Sequence, residues 1–431
     1  MKRIFLLSGI FASFFVAGCY KEYKNPGAAT GAEILTDANG LTAIAVGIQS
    51  SYSGVALYAQ VTISGFATKE LRLLNPGNTA ENDLLAGGAS VANTNSRVAG
   101  LWVAMNKVSY NAETILANAG IAPSGVQEGL KAYAYLYKAL AIGTMATFWT
   151  DVPVNTGTNA TFSSRNAALS AAIDLLKKGE LLVPAISAAF YSKVPTGIDL
   201  KNAIPALEAR YYNMLKDDAN ALVAANKVDL SSKSWFAFST TNTNQINVIA
   251  IGGINVYQPN DDITFGLPNA LIPNPADGRI PFYTYRNAGS ASDVRGKGFF
   301  QTNASPIPVY LPGEMTLIKA ESYIRKAGAD ITQLPLAVTE LNKVLTKTTD
   351  VWGVNANLPA YAGALNVTAV SNEIYRNRRM ELFMSGLELE DCRRFGRPGP
   401  EINGTERNKT YYLFPLAERA NNPNTPADPP F

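Results

Sequence analysis

Between Ser231 and Pro308 the chain gathers Trp235, Phe236, Phe238, Tyr257, Phe265, Phe282, Tyr283, Tyr285, Phe299 and Phe300 among turn-forming residues. Rings interleaved with polar side chains suit non-covalent capture: the faces stack on apolar ligand surface while polar groups fix orientation. On composition the candidates are Trp235, Tyr257, Tyr283, Tyr285 and Arg286, joined by Asn82 and Asp83 from the Asn- and Gly-rich stretch Asn75–Arg97. For each aromatic the competing reading is core packing. Trp102 and Trp149 sit beside apolar helical residues and read as core, whereas Trp352, in the loop "DVWGVNANLPAYAG", is open to either reading.

Covalent chemistry is narrowed by an absence, for the chain contains no histidine. Ser-His-Asp triads, Cys-His dyads and the usual His-containing zinc sites are therefore excluded. The stretch "PNDD" from Pro259 offers oxygens to calcium, but it lacks a bidentate Glu at loop spacing and reads as an ordinary turn. No metal or cofactor is expected. A glycoside hydrolase needs only two carboxylates at a suitable separation, and the 34 acidic residues leave that reading open without a motif to favour it.

The elements that must position these residues are helical. From Val126 the apolar residues Leu130, Tyr133, Tyr137 and Leu140 recur at helical spacing, as do Leu169, Ile173 and Leu176. Leu207, Tyr211 and Met214, then Leu317, Ala320 and Ile324, then Val338, Leu341 and Leu345 repeat the pattern. Antiparallel pairs are expected over Leu101–Phe148, Arg165–Asn226, Pro312–Leu345 and Ser371–Phe395. The fold class is mainly α, a tetratricopeptide-like scaffold of helical pairs without a strict 34-residue period. Long irregular insertions at about 75–97 and 231–308 break it; the second is too aromatic for a disordered linker and should fold onto the helices.

Lys2 and Arg3 precede an almost uncharged run from Ile4 to Ala17 that ends in small residues, the layout of a secretory signal peptide over residues 1–18. The run is too short to span a bilayer, which takes about twenty residues. The sequence "VAGC" resembles the lipobox of bacterial lipoproteins and makes Cys19 the expected lipidated residue. Residues 19–35 read as a flexible tether and 36–431 as one helical domain. Anchoring through Cys19 leaves Cys392 without an intramolecular partner, hence a buried small hydrophobe. Without the first eighteen residues the excess of Lys and Arg over Asp and Glu falls from three to one, which disfavours a nucleic-acid partner.

The segment "NEIYRNRRMELFMSGLELEDCRRFGRP" from Asn372 to Pro398 resembles the C-terminal signature of SusD/RagB outer-membrane lipoproteins. Arg378, Glu381, Leu382, Gly386, Asp391, Arg394 and Gly396 match it, while Asn377, Ser385, Glu388 and Cys392 depart from it, as in a divergent branch. Asp391 and Arg394 lie three apart, as do Arg378 and Glu381, so each pair is expected to neighbour on a helix face and to act structurally. "LWVAMNKVSYNAETILAN" from Leu101, "FWTDVPV" from Phe148, "ADGRIPFYTY" from Ala276, "EMTLIKAES" from Glu314 and "LFPLAERANNPN" from Leu413 are similar to further family segments, in the expected order.

The resemblance implies a non-enzymatic, lipid-anchored protein on the outer membrane, exposed at the cell surface. It would capture nutrients and deliver them to a SusC-like TonB-dependent transporter. The usual ligand is an oligosaccharide, with peptides in some RagB-like members, and pyranose C–H faces suit aromatic stacking. A glycoside hydrolase, or a scaffold that only grips proteins, are the other readings.

Overall fold

Several helices begin at a residue whose side chain caps them. The computed structural model describes residues 35–251, 256–288, 293–400 and 406–430. The expected signal peptide, Cys19 and nearly all of the tether lie outside these residues. α1 (Ala38–Ser51) continues through a π turn at Tyr52–Ala56 into α2 (Leu57–Ala67). A short α3 (Thr79–Ala86) precedes α4 (Ser96–Asn118), whose first amides are capped by the Asn95 side chain. α5 (Val126–Phe148) and α6 (Arg165–Glu180) follow, the latter capped by Ser164. α7 (Leu200–Leu215) and α8 (Asp218–Lys227) start at Asp199 and Asp217, each carboxylate accepting a backbone N–H. The array ends with α9 (Pro312–Ala327), α10 (Leu334–Leu345), α11 (Val367–Glu381, capped by Asn366) and α12 (Glu388–Arg394).

Each helix from α4 to α10 packs on the next, and α9 and α10 together meet α11. The insertion leaves after α8 and returns at α9, yet α8 packs against α9 directly, so the array is continuous in space across the interruption. The expected helical pairs are thus present. Leu130, Tyr133, Tyr137 and Leu140 are at most 2% exposed, but so are Leu136, Ala139, Ala141 and Ile142 on the other faces of α5. α5 is a central helix buried all round, so the apolar stripe in its sequence understates its burial. Trp102 and Trp149 are core residues in edge-to-face contact, with ring centroids 4.9 Å apart. Among the described residues no helix is long and apolar enough to cross a membrane.

The C-terminal signature forms a buried network of charges. Arg378 reaches Asp391 with two hydrogen bonds of 2.7 and 2.9 Å, and Arg394 bonds the same carboxylate at 2.7 Å. Arg394 also holds Glu321 of α9, which Arg325 bridges to Asp218 of α8. The expected Asp391–Arg394 neighbour pair is therefore present, but Arg378 and Glu381 do not pair with each other. Glu381 turns to Arg279 and Lys347 instead, because its buried carboxylate lies where the insertion and the chain after α10 meet α11. Arg279 is locked by Asp277 at 2.9 and 2.6 Å and by Asn377 at 2.7 Å, so the D-x-R segment is a strut from the insertion to α11. Gly313 is required beside it, since a Cβ there would collide with the Glu381 carboxylate. Cys392 is free and buried as expected.

The insertion folds through its rings and three of the chain's four short antiparallel strand pairs. β1 (Leu71–Leu73) precedes β2 (Asp151–Pro153) and β3 (Phe162–Ser164), which pair with each other. β4 (Trp235–Phe236), β5 (Tyr257–Pro259), β6 (Thr284–Arg286), β7 (Val294–Gly296) and β8 (Ile307–Pro308) give the pairs β1–β5, β4–β8 and β6–β7. The stretch 75–97, read as irregular, contains α3, an eight-residue helix. Its Asn-, Gly- and Thr-rich composition is overridden by tertiary contacts: Leu84 is buried and Glu81 pairs with Arg97 at 2.6 Å.

Candidate ligand-binding face

The two irregular stretches of sequence meet in the fold. β1 leads into the first and β5 lies in the second, with Arg72 opposite Gln258 in their ladder. The amides of Leu74 and Asn75 extend the pairing to the Val256 carbonyl. α3 packs on β1, and β7 packs beside β5. Neighbours therefore run α3, β1, β5, β7, β6, a layer of contacting elements with Asn82 and Asp83 on its first member and Tyr285 and Arg286 on its last, its middle strands β5 and β7 being buried.

Polar side chains tie the layer together. Arg72 donates to Gln258 Oε1 at 2.7 Å, and Gln258 Nε2 donates to Asp293 at 2.6 Å. Asp293 also accepts from Asn287 at 2.9 Å and lies 2.6 Å from Arg295 Nε. Burial alone would raise the Asp293 carboxyl; hydrogen bonds from Asn287, Arg295 and Gln258 outweigh it and hold the group below its ordinary value, as an anion. Next to it on the hairpin, Tyr285 is 42% exposed and its hydroxyl donates to the Ala250 carbonyl at 3.3 Å. Arg286 makes a two-pronged pair with Asp262, its Nε at 2.8 Å. Tyr285 and Arg286 are successive residues of β6, so the open ring and the guanidinium–carboxylate fork stand on opposite faces of the strand. At the other end Asn82 is exposed and Asp83 half-buried, on the helix that the Glu81–Arg97 pair docks, and the Arg97 guanidinium lies 5.2 Å over the Tyr58 ring.

The remaining nominated residues are elsewhere. Tyr257 is buried, its ring 5.6 Å from Phe66 and 6.5 Å from Tyr58. Tyr283 has no exposed surface; its hydroxyl donates to the Glu381 carbonyl at 2.7 Å, and Phe282, Phe299, Phe300 and Phe383 surround its ring. Neither ring offers the solvent-exposed stacking face its nomination implies, because both form the insertion's own core; Tyr283 instead lines an internal cavity with Phe299, Phe300 and Arg210. Trp235 is half-buried in the separate β4–β8 pair, edge-on to Trp352 at 6.2 Å. "PNDD" is a turn, in which Asp261 accepts from the amides of Ile263, Thr264 and Phe265. Among the described residues no cluster of His, Cys, Asp or Glu could hold a metal ion.

Composition did not single out Arg72, Gln258, Asn287, Asp293 or Arg295, because the β1–β5 pairing, 186 residues apart at Arg72–Gln258, is what joins the first two to the hairpin that carries the rest. Asp262, within the "PNDD" stretch, pairs with the Arg286 guanidinium.

No protein-family model matches the chain, and no curated protein matches it. Solved structures do. A SusD superfamily protein from Bacteroides vulgatus is 13% identical with a TM-score of 0.67, over 92% of this chain and 100% of that one. The chain adopts the SusD-like fold. A SusD-like carbohydrate binding protein from Bacteroides fragilis is likewise 13% identical at a TM-score of 0.67, over 91% of this chain and 99% of that one. A laminarin binding SusD-like protein gives 13% identity and 0.66 over the same shares.

Proposed function

We propose that this SusD-like chain captures an oligosaccharide at the α3–β1–β5–β7–β6 layer and delivers it, uncleaved, to a SusC-like TonB-dependent transporter. The observation that carries the reading is the exposed Tyr285 ring, with Asn287 on the same face two residues on and hydrogen-bonded to Asp293. A pyranose C–H face stacks on such a ring while its hydroxyls find a donor and an acceptor in Asn287 and Asp293, and a longer chain reaching round the strand meets the exposed Arg286–Asp262 fork. Two solved structures of the same fold come from proteins named for carbohydrate and laminarin binding, which favours a glycan over a peptide.

The Asp293 carboxylate of the face suits binding better than hydrolysis. A glycosidase needs one carboxyl kept protonated as the general acid. Asp293 is held as an anion and is not poised to donate a proton. Lipidation at Cys19 and display at the outer-membrane surface belong to the same proposal. With no spanning helix among the described residues, a captured ligand needs a channel supplied by a partner.

The test is to incubate the purified protein with a glycan panel that includes laminarin and to follow retention and turnover together. Retention without turnover, weakened by Tyr285→Ala, is the expected result; turnover would replace the proposal with a hydrolase. Cys19→Ala is expected to release folded protein from the membrane, and gentle extraction of native membranes to bring down a much larger transporter with the unsubstituted chain.

A further inference from the structure

Away from that layer, a cavity of about 210 Å³ lies between the start of α7, the middle of α5 and the loop from Phe190 to Ile198. Its lining is carbon-rich: Tyr133, Phe190, Tyr191, Val194, Ile198 and Leu200. Phe190 stands edge-on to both Tyr133 and Tyr191. The Tyr133 hydroxyl is engaged with Gln49, and among the other lining side chains hydroxyls are carried by Tyr191 and Thr196, both exposed.

The wall is fixed rather than collapsible. Gly197 has φ +120°, and the space its side chain would need is filled by the Trp235 carbonyl and indole nitrogen. The Trp235 amide donates to the Gly197 carbonyl at 2.8 Å, and the Asp199 amide donates to the buried Ser234 hydroxyl at 3.0 Å. Asp199 in turn caps α7. Protein interiors rarely keep voids much larger than a water molecule, because the lining forfeits its contacts. An apolar cavity of about 150 Å³ stays dry and accepts benzene. We propose that this cavity is a second, preformed binding site for a single aromatic ring of phenol or indole size, its polar substituent directed to Tyr191 and Thr196. The ring belongs to a free small molecule or to an aromatic side chain of a peptide; the site is independent of the glycan face.

The probes are p-cresol and N-acetyl-tyrosinamide, titrated calorimetrically into the full chain. p-Cresol is expected to bind with Kd on the order of 0.1 mM, as a small ligand burying most of its surface does. Val194→Trp and Ile198→Phe fill the cavity and should each weaken binding by at least about tenfold, with retention of glycan on the Tyr285 face unchanged. In the unsubstituted chain, nuclear Overhauser contacts from the p-cresol ring to the Val194 and Ile198 methyls are expected, a readout that does not depend on the variants folding. Binding of both probes assigns the cavity to a peptide side chain, and binding of p-cresol alone assigns it to a free aromatic molecule. No binding of either probe, or binding without those methyl contacts, overturns the proposal.

Discussion

Two regions of this molecule are built from the same residue types and do opposite things. In the C-terminal network the side chains of Arg378, Asp391, Arg394 and Glu321 are at most 3% exposed, and every guanidinium meets a carboxylate. In the α3–β1–β5–β7–β6 layer Arg286 meets Asp262 in a comparable two-pronged geometry, but its side chain is 41% exposed. The difference is water. A buried pair cannot lose one member without leaving a desolvated charge, whereas a surface pair can exchange its partner for solvent or for a ligand hydroxyl. Charge in the first region fixes the fold, and charge in the second remains available for recognition.

The largest expected effect tests the buried side of this contrast. Asp391→Ala leaves Arg378 with only Glu321, 3.7 Å away, and Arg394 with Glu321 and a distant Glu390, and should lower stability by about 3–5 kcal/mol in denaturant unfolding. A loss under about 1 kcal/mol, the range of exposed pairs, would erase the distinction. Acid acts on the same network. Burial alone would raise the Glu321 carboxyl, but Arg394, Arg325 and Arg378 pull it far below its ordinary value of 4.5. A depressed folded-state pKa contributes stability above the unfolded value and loses it as pH falls toward the folded one. The thermal midpoint should therefore drop steeply below about pH 4.5.

Next in size is Tyr283→Ala, which removes a fully buried ring and should cost about 3–5 kcal/mol. That residue also marks where sequence reading stops. Helical periodicity revealed the array because a helix repeats its buried face, and the local Asp391–Arg394 pair followed from spacing alone. Tyr283 and Tyr285 are two residues apart in an aromatic segment with no sustained period, so nothing local distinguishes a ring with no exposed surface from one that is 42% exposed. The strut from Arg279 to Asn377 and Glu381, the ladder from Arg72 to Gln258, and the shift of Arg378 from Glu381 to Asp391 all depend on long-range packing. Composition nominated Asn82, Asp83, Tyr285 and Arg286 one by one; that their elements neighbour one another, and which polar residues lie between, depends on the same long-range pairing.

A smaller effect, opposite in sign to that of Glu321, comes from Glu388. Burial pushes its carboxyl up to about 8 although Arg379 lies 3.1 Å away, because Glu70 and Asp391 share the neighbourhood. A raised folded-state pKa gives stability that is complete below the unfolded value of 4.5 and is lost as pH rises through about 8. Between these limits the protein should become less stable as pH rises, with its optimum near pH 5. Glu388→Gln, neutral at every pH, should flatten that slope in thermal scans from pH 5 to 8. Glu70, raised by the same burial, keeps a remainder of it. An unchanged slope would show that Glu388 is not a source of the pH dependence.

The smallest expected change in stability is at Tyr285, and it is the one that sharpens the comparison most. The ring packs little and its hydroxyl bond to Ala250 is at the surface, so Tyr285→Ala should alter stability by no more than about 0.5 kcal/mol. If the layer recognises sugar, the same substitution should weaken retention of the cognate glycan by about tenfold, the worth of one aromatic stacking contact. Tyr285→Phe keeps the ring face and should retain most of the affinity, which separates stacking from hydrogen bonding. Asp262→Asn provides the matching test of the fork. It removes one charge from a partly exposed pair, so the fold should tolerate it, while the acceptor that steers sugar hydroxyls beside Arg286 is weakened. Should Tyr285→Ala and Asp262→Asn both leave retention intact while Tyr283→Ala still unfolds the chain, the exposed charges of this layer would be structural too, and recognition would have to lie on another surface.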